Sequence, residues 1–152
     1  MSLVGVIMGS KTDEPLMQPA LEVLQQLGIE YEVSVISAHR TPDKAREYGL
    51  KAEGRGVEVI IAGAGGAAHL PGVIASWTTL PVVGVPLATS KLSGVDALYA
   101  VVQMPGGIPV ACVAIDGAKN AALLAAAIIS LKDAKVRSAY KKYRKKLSQG
   151  SK

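Results

Sequence analysis

The chain has two histidines, and both stand among residues suited to handling anions or protons. His39 lies in "SAHRTP", residues 37 to 42, beside Arg40 and at the end of an alternating apolar run. Imidazole gains and loses a proton near neutral pH, while guanidinium keeps its charge and offers a fork of donors suited to a phosphate. Side by side in one loop, they pair a group for proton transfer with a group for anchoring an anion. Thr41 has a sufficient structural use as the cap of the helix that Pro42 opens.

A second stretch, "GSKTDE" at residues 9 to 14, offers the hydroxyls of Ser10 and Thr12, the carboxylate of Asp13 and the free backbone N–H groups of a helix start. Together these make a cradle for a phosphate or carboxylate. Capping by Thr12 or Asp13 accounts for the same residues on structural grounds alone. The third stretch, "GAGGAAHLPG" at residues 63 to 72, has small residues that let a ligand lie against exposed backbone N–H groups. His69 sits within it, at the opening of the next helix, where it could equally cap or pack. Two further stretches, "LATSKLSGVD" and "MPGGIPV", could close over a small ligand as flaps or serve as turns.

Other chemistries lack support. Ser10, His39 and Asp13 can be assembled into a hydrolase triad, but no "GxSxG" elbow accompanies them. Two histidines thirty residues apart, with scattered carboxylates, do not give metal-ligand spacing. Flavin binding is weakly supported, with aromatic residues at 4% and no Phe to stack. Cys112 is the one cysteine and sits in the apolar run "PVACVAI", which reads as a buried, inert thiol.

The elements that must position these loops alternate down the chain. "LVGVIM", "YEVSVI", "VEVIIA", "PVVGVP" and "PVACVAI" are five strand candidates, separated by helical segments at 14 to 27, 42 to 54, 70 to 78 and 95 to 104. Leu16, Ala20, Leu24 and Leu27 form one apolar stripe, Gly28 stands at its C-terminal cap, and Pro19 is placed to kink it. After the fifth strand candidate, "KNAALLAAAIISL" reads as a largely buried helix. This alternation predicts an α/β fold with a parallel sheet covered by helices on both faces. Ligands in such folds bind beyond the carboxyl ends of the strands, where strand order reverses.

The 152 residues suit one domain, and no repeat or linker divides them. Hydrophobic residues make up 49% and charged ones 19%, with a mean hydropathy of +0.30, so subunit association is expected to cover excess apolar surface. No apolar run reaches the ~20 residues a bilayer needs, and the opening lacks the pattern of a signal peptide; a soluble, cytoplasmic chain is expected. The net charge of +5 is unevenly spread. Residues 132 to 152 hold nine Lys and Arg against one Asp, and residues 1 to 131 hold eight against eleven acids. The expected organisation is therefore a catalytic domain over 1–131 and a basic helical extension over 132–152, with Tyr140 and Tyr143 at helical spacing. The extension reads as a solvated or subunit-contacting helix rather than a nucleic-acid patch, because no recognised binding motif accompanies it.

Six blocks in order, "IMGSKTD", "SAHRTPD", "AGAGGAAHLPG", "LPVVGVP", "VVQMPGGIPV" and "KNAALLA", resemble the PurE family, the N5-carboxyaminoimidazole ribonucleotide mutases of purine biosynthesis. The resemblance implies a three-layer flavodoxin-like (Rossmann-like) sandwich around a central five-stranded parallel sheet, assembled as a homo-octamer with active sites at subunit contacts. It implies no metal and no organic cofactor. By analogy, His39 transfers the proton while Ser10, Asp13 and Arg40 contact a ribonucleotide. Thr12 would join Arg40 at the 5′-phosphate, Asp13 would take the ribose hydroxyls, and the third loop, with Gly65 and His69, would receive the base and its carboxylate. Three features depart from the family's usual pattern: Thr12 replaces a serine, Ala97 stands where serine is common, and "AIDGAKNAALLA" is short. Two rivals share the scaffold. One is a carboxylase that adds carbon dioxide directly to aminoimidazole ribonucleotide, a branch that typically has lysine where this chain has Arg40; the other is a non-catalytic nucleotide-binding module.

Overall fold

The computed structural model describes residues 1–150. Its five strands are β1 (Leu3–Met8), β2 (Glu30–Val35), β3 (Val57–Gly65), β4 (Val82–Leu87) and β5 (Ala111–Cys112), paired in the order β2-β1-β3-β4-β5 with every pair parallel. Six helices connect or follow them: α1 (Glu14–Gln26), α2 (Pro42–Lys51), α3 (His69–Ser76), α4 (Val95–Val102), α5 (Ala118–Ile129) and α6 (Ala134–Ser148).

Burial follows from this layering. The inner strands β1, β3 and β4 are covered on both faces and read as almost unbroken apolar runs, whereas the edge strand β2 is half exposed. Alternate residues of β3 serve opposite cores. Val59 and Ile61 join Val4, Val6, Val83 and Val85 under α1 and α5, where Met17, Leu24 and Ile129 are almost completely buried. Ile60 and Ala62 join Ile7 and Val82 under α2, α3 and α4, packed with Ala45, Tyr48 and Ile74. The five-stranded parallel sheet with helices on both sides is thus present as the alternation of elements predicted.

Local boundaries differ in instructive ways. α1 runs unbroken past Pro19 and ends at Gly28, whose φ of +70° lets the N–H groups of Gly28 and Ile29 reach back to Gln25 and Leu24. α2 stops at Lys51, and residues Glu53–Arg55 tighten into a 3₁₀ turn before β3. β5 is only two residues long, because Pro109 has no N–H to give and beyond Cys112 the ladder is irregular, with Val113 donating to Gly84 and Asp116 to Pro86. The segment "MPGGIPV" precedes β5, so Gly107, Ile108 and Pro109 lie with Leu80 and Pro81 at the amino ends of the strands. That is the end opposite the histidine loops, so within one chain these three residues do not form a flap, whereas Met104, which opens the segment, lies against Gly72 and lines a cleft with Ala68 and His69.

Two packing details bear on function. α2 follows the His39 loop and α3 opens with His69, and the two helices approach closely at Gly49: a Cβ there would lie 2.6 Å from Trp77 Cβ and 3.4 Å from the Ile74 carbonyl. Arg46 adds a stacking contact, its guanidinium 5.0 Å from the Trp77 ring centre. On the other face α6 is capped by Asp133, which accepts from the N–H groups of Lys135 and Val136 and from the Ser2 hydroxyl. Val136 is buried, and Tyr140 and Tyr143 pack against the α1/α5 core. Arg137 donates to the carbonyls of Ser130 and Leu131 just after α5.

Because Gly49 lies against Trp77 and the Ile74 carbonyl, Gly49→Ala should force the C-terminal end of α3 away from α2. A loss of about 1–3 kcal/mol is expected for such overpacking, measured as a lower urea midpoint; an unchanged midpoint would show that the contact relaxes freely.

Candidate active site

Each loop that leaves a strand's carboxyl end contributes a small set of residues to one cavity of about 510 Å³. Gly9, Ser10, Thr12 and Asp13 come from β1, Ser37 to Arg40 from β2, Ala64 to Leu70 (except Gly66) from β3, and Thr89 from β4. All seven residues singled out in the sequence, Ser10, Thr12, Asp13, His39, Arg40, Gly65 and His69, therefore line a single space. It lies at the β1/β3 switch point, where α1 departs to one face of the sheet and α3 to the other.

In the loop after β1, Ser10 rather than Thr12 or Asp13 caps the first turn. Its oxygen accepts from the Thr12 N–H at 3.3 Å, and the two hydroxyls lie 2.9 Å apart. Asp13 occupies the cap position of α1 but makes no side-chain capping bond. It is only 6% exposed, and burial pushes its carboxyl above the ordinary range, against a smaller downward pull from a backbone hydrogen bond at Ser10. The first turn spends its own N–H groups, Asp13 donating to the Ser10 carbonyl and Glu14 to that of Lys11, and Pro15 has none to give, so what it presents is a carboxylate that is costly to ionise.

In the loop after β2, Thr41 does not cap α2. Its hydroxyl donates to the Ser37 carbonyl at 2.9 Å and accepts from the Ser37 N–H at 3.2 Å, while the Arg40 N–H donates to Ser37 Oγ at 3.1 Å. Two hydroxyls thereby knot residues 37 to 41 and leave Ala38, His39 and Arg40 on the outside of the turn. Arg40 and His39 are exposed to the cavity, and among the described residues Arg40 makes no ion pair.

After β3 the chain turns sharply. Gly66 and Ala68 both adopt left-handed backbone, φ +59° and +46°, a conformation that strains alanine. This turn delivers His69 as the first residue of α3, whose start has no side-chain cap. The His69 ring meets His39 edge to face, with centroids 4.6 Å apart and planes at 89°, and His39 Nε2 hydrogen-bonds His69 Nδ1. One ring must donate and the other accept, so a proton is shared between them. Of the two sequence readings of His69, this partnership selects neither capping nor core packing.

Thr89 and Ser37 are the polar wall residues that sequence reasoning did not single out. Ser37 stood inside the quoted motif, and Thr89 follows the carboxyl end of β4, so the strand-end rule was the available signal. Cys112 is partly rather than fully buried and packs at the edge of the second core; burial raises its thiol pKa, which keeps it protonated. Among the described residues no three His, Cys, Asp or Glu side chains cluster as a metal site would require.

Comparison with known proteins matches residues 3–150 to the family described as AIR carboxylase. A Thermotoga maritima protein named N5-carboxyaminoimidazole ribonucleotide mutase is 56% identical over 149 residues, covering 98% of this chain and 87% of its own. A Pyrococcus horikoshii protein of the same name is 57% identical over 147 residues, covering 97% and 83%. The crystal structure of Treponema denticola PurE superposes with a TM-score of 0.90 at 30% identity, covering 99% of this chain and 94% of that one.

The burial of Asp13 has a measurable cost. Its native carboxyl holds a proton more tightly than the unfolded one, so the cost is absent below the unfolded value near about 4 and grows as pH rises through the raised native value. Asp13→Asn should raise the urea midpoint at neutral pH, and the gain should vanish below roughly pH 4. A gain of the same size at both pH values would contradict the origin assigned to it.

Proposed function

The chain belongs to the AIR carboxylase family, and from that premise we propose that His39 moves the proton in an intramolecular carboxyl transfer. The protein is an isomerase of purine biosynthesis that converts N5-carboxyaminoimidazole ribonucleotide to 4-carboxy-5-aminoimidazole ribonucleotide. The observation that carries the assignment of His39 is its hydrogen bond to His69 in the same cavity as the unpaired Arg40.

Arg40 and the Thr12 hydroxyl hold the 5′-phosphate, Ser10 lines the same cradle, and Asp13 accepts bonds from the ribose hydroxyls. The turn around Gly65 and His69 receives the imidazole and its carboxyl group. Fixing the remote groups positions the reacting ones. When the bond between N5 and the carboxyl carbon breaks, its electron pair stays on N5 and takes a proton from His39, leaving carbon dioxide and aminoimidazole ribonucleotide. The electron-rich C4 then attacks the carbon dioxide, and His39 removes the C4 hydrogen to restore aromaticity. The proton given in the first half returns in the second, so atoms and charge balance with no added reagent. His69 shares the hydrogen that His39 must give and retake.

Residues 1–131 form the catalytic unit in this reading, and the basic extension that follows carries α6, residues 151–152 of it lying outside the described residues. The assembly is a homo-octamer in the cytoplasm. Association is supported by exposed Tyr31, Val33 and Val35 along the edge strand and by Leu92, Val95, Tyr99 and Val102 along and just before α4. The chain's 8211 Å² of surface also exceeds the roughly 7,300 Å² expected of a 15.7 kDa monomer. Closure by neighbouring subunits would retain carbon dioxide in a cavity that is open in the single chain. Among the described residues no helix is long and apolar enough to cross a membrane.

Purified protein should convert the N5-carboxylated nucleotide rapidly, whereas turnover only from aminoimidazole ribonucleotide plus carbon dioxide would favour the carboxylase. His39→Asn should bind substrate nearly as well while losing at least about 100-fold in kcat; near-normal turnover would refute the role given to His39. Light scattering should return a mass eight times the 15.7 kDa protomer.

A further inference from the structure

We propose that Thr89 is a substrate-binding residue whose hydroxyl contacts the carboxyl-bearing ring, and that position 65 must be glycine to make room for that hydroxyl. The inference rests on the reaction assigned above and extends it to a loop given no role there.

β3 and β4 run in register with Gly65 opposite Leu87. Two residues beyond, the Thr89 N–H donates back to the Leu87 carbonyl at 2.9 Å, a tight turn that folds the threonine side chain over Gly65. A Cβ built on Gly65 would fall 1.7 Å from Thr89 Oγ1, 3.1 Å from Thr89 Cβ and 3.2 Å from the Leu87 carbonyl oxygen. No side chain fits there while Thr89 holds its place. The hydroxyl lines the same cavity as His39 and His69, and among the described residues it makes no hydrogen bond to the protein.

Its loop is tied on both sides. The Ala88 N–H donates to Asp116 Oδ1 at 2.9 Å, and the Ser90 hydroxyl donates to Asp96 Oδ2 at 2.6 Å. Thr89 is therefore presented by a tethered turn between two carboxylate anchors, which suits a fixed contact better than a swinging flap.

Strand order tells which part of the ligand it meets. Arg40 follows β2 at one edge of the sheet, Ser10 and Thr12 follow β1, Gly65 follows β3, and Thr89 lies one strand further on. A nucleotide whose phosphate is held by Arg40 and the β1 loop directs its base toward Gly65 and Thr89. A hydroxyl both donates and accepts, so it can donate to the carboxylate and accept from the N5 amine that carbon dioxide leaves behind. A fixed cation there would hold the carboxylate more strongly than the neutral gas and oppose its release.

Thr89→Val and Thr89→Ala, which remove the hydroxyl with and without keeping bulk over Gly65, should each lower kcat/KM for the N5-carboxylated substrate about 10- to 100-fold. Thr89→Ser should recover most of the loss. Calorimetric affinity for 4-carboxy-5-aminoimidazole ribonucleotide should fall in the first two variants, while affinity for ribose 5-phosphate, which lacks the ring, should match the parent. The proposal is overturned if both variants keep parental kcat/KM, or if ribose 5-phosphate binding falls as much as nucleotide binding. Failure of the underlying reaction is separable, since it would appear in the unmodified enzyme as no conversion of the N5-carboxylated substrate.

Discussion

Parallel strand pairing is the constraint on which the rest of this molecule depends. A parallel neighbour cannot be reached through a hairpin, so the chain crosses back over the sheet after each strand, and all strands finish at one edge. The loops after β1, β2, β3 and β4 are thereby gathered, although residues 10 and 89 lie far apart in sequence. The order β2-β1-β3-β4-β5 adds a crevice, because α1 leaves β1 toward one face while α3 leaves β3 toward the other.

The crevice carries several locally unfavourable features. Asp13 is a buried carboxylate, Ala68 has left-handed backbone, and α3 starts there without a side-chain cap. These are strains and open donors of the kind that gather where a ligand must be received. What offsets them lies in the sheet behind: β4 is buried along its whole length, and β3 along most of it. By contrast, the edge strand and α4 leave apolar side chains in solvent, which ties the chemistry of the cavity to association of the chain.

The two histidines illustrate how packing becomes chemistry. His39 stands on a turn knotted by the Ser37 and Thr41 hydroxyls, and His69 on a turn forced through left-handed backbone. The missing side chain at Gly49 lets α2 and α3 pack closely at the ends remote from the rings, which steadies both elements. Neither turn alone would place a proton between two imidazoles.

Much of this was legible in the chain itself. Alternating strand and helix periodicity, with Gly and Pro at the boundaries, determined a parallel α/β sheet and which loops face the ligand, since those patterns depend on residues near in sequence. Residue chemistry within those loops was enough to select Ser10, Thr12, Asp13, His39, Arg40, Gly65 and His69, which the fold gathers into one cavity. Only the tertiary structure decided that His39 partners His69, that the Thr41 hydroxyl ties a loop rather than capping a helix, and that Thr89 overlies Gly65. These outcomes are contacts across the sheet edge or choices among competing hydrogen-bond partners. All are set by strand order and close packing, which local periodicity does not encode.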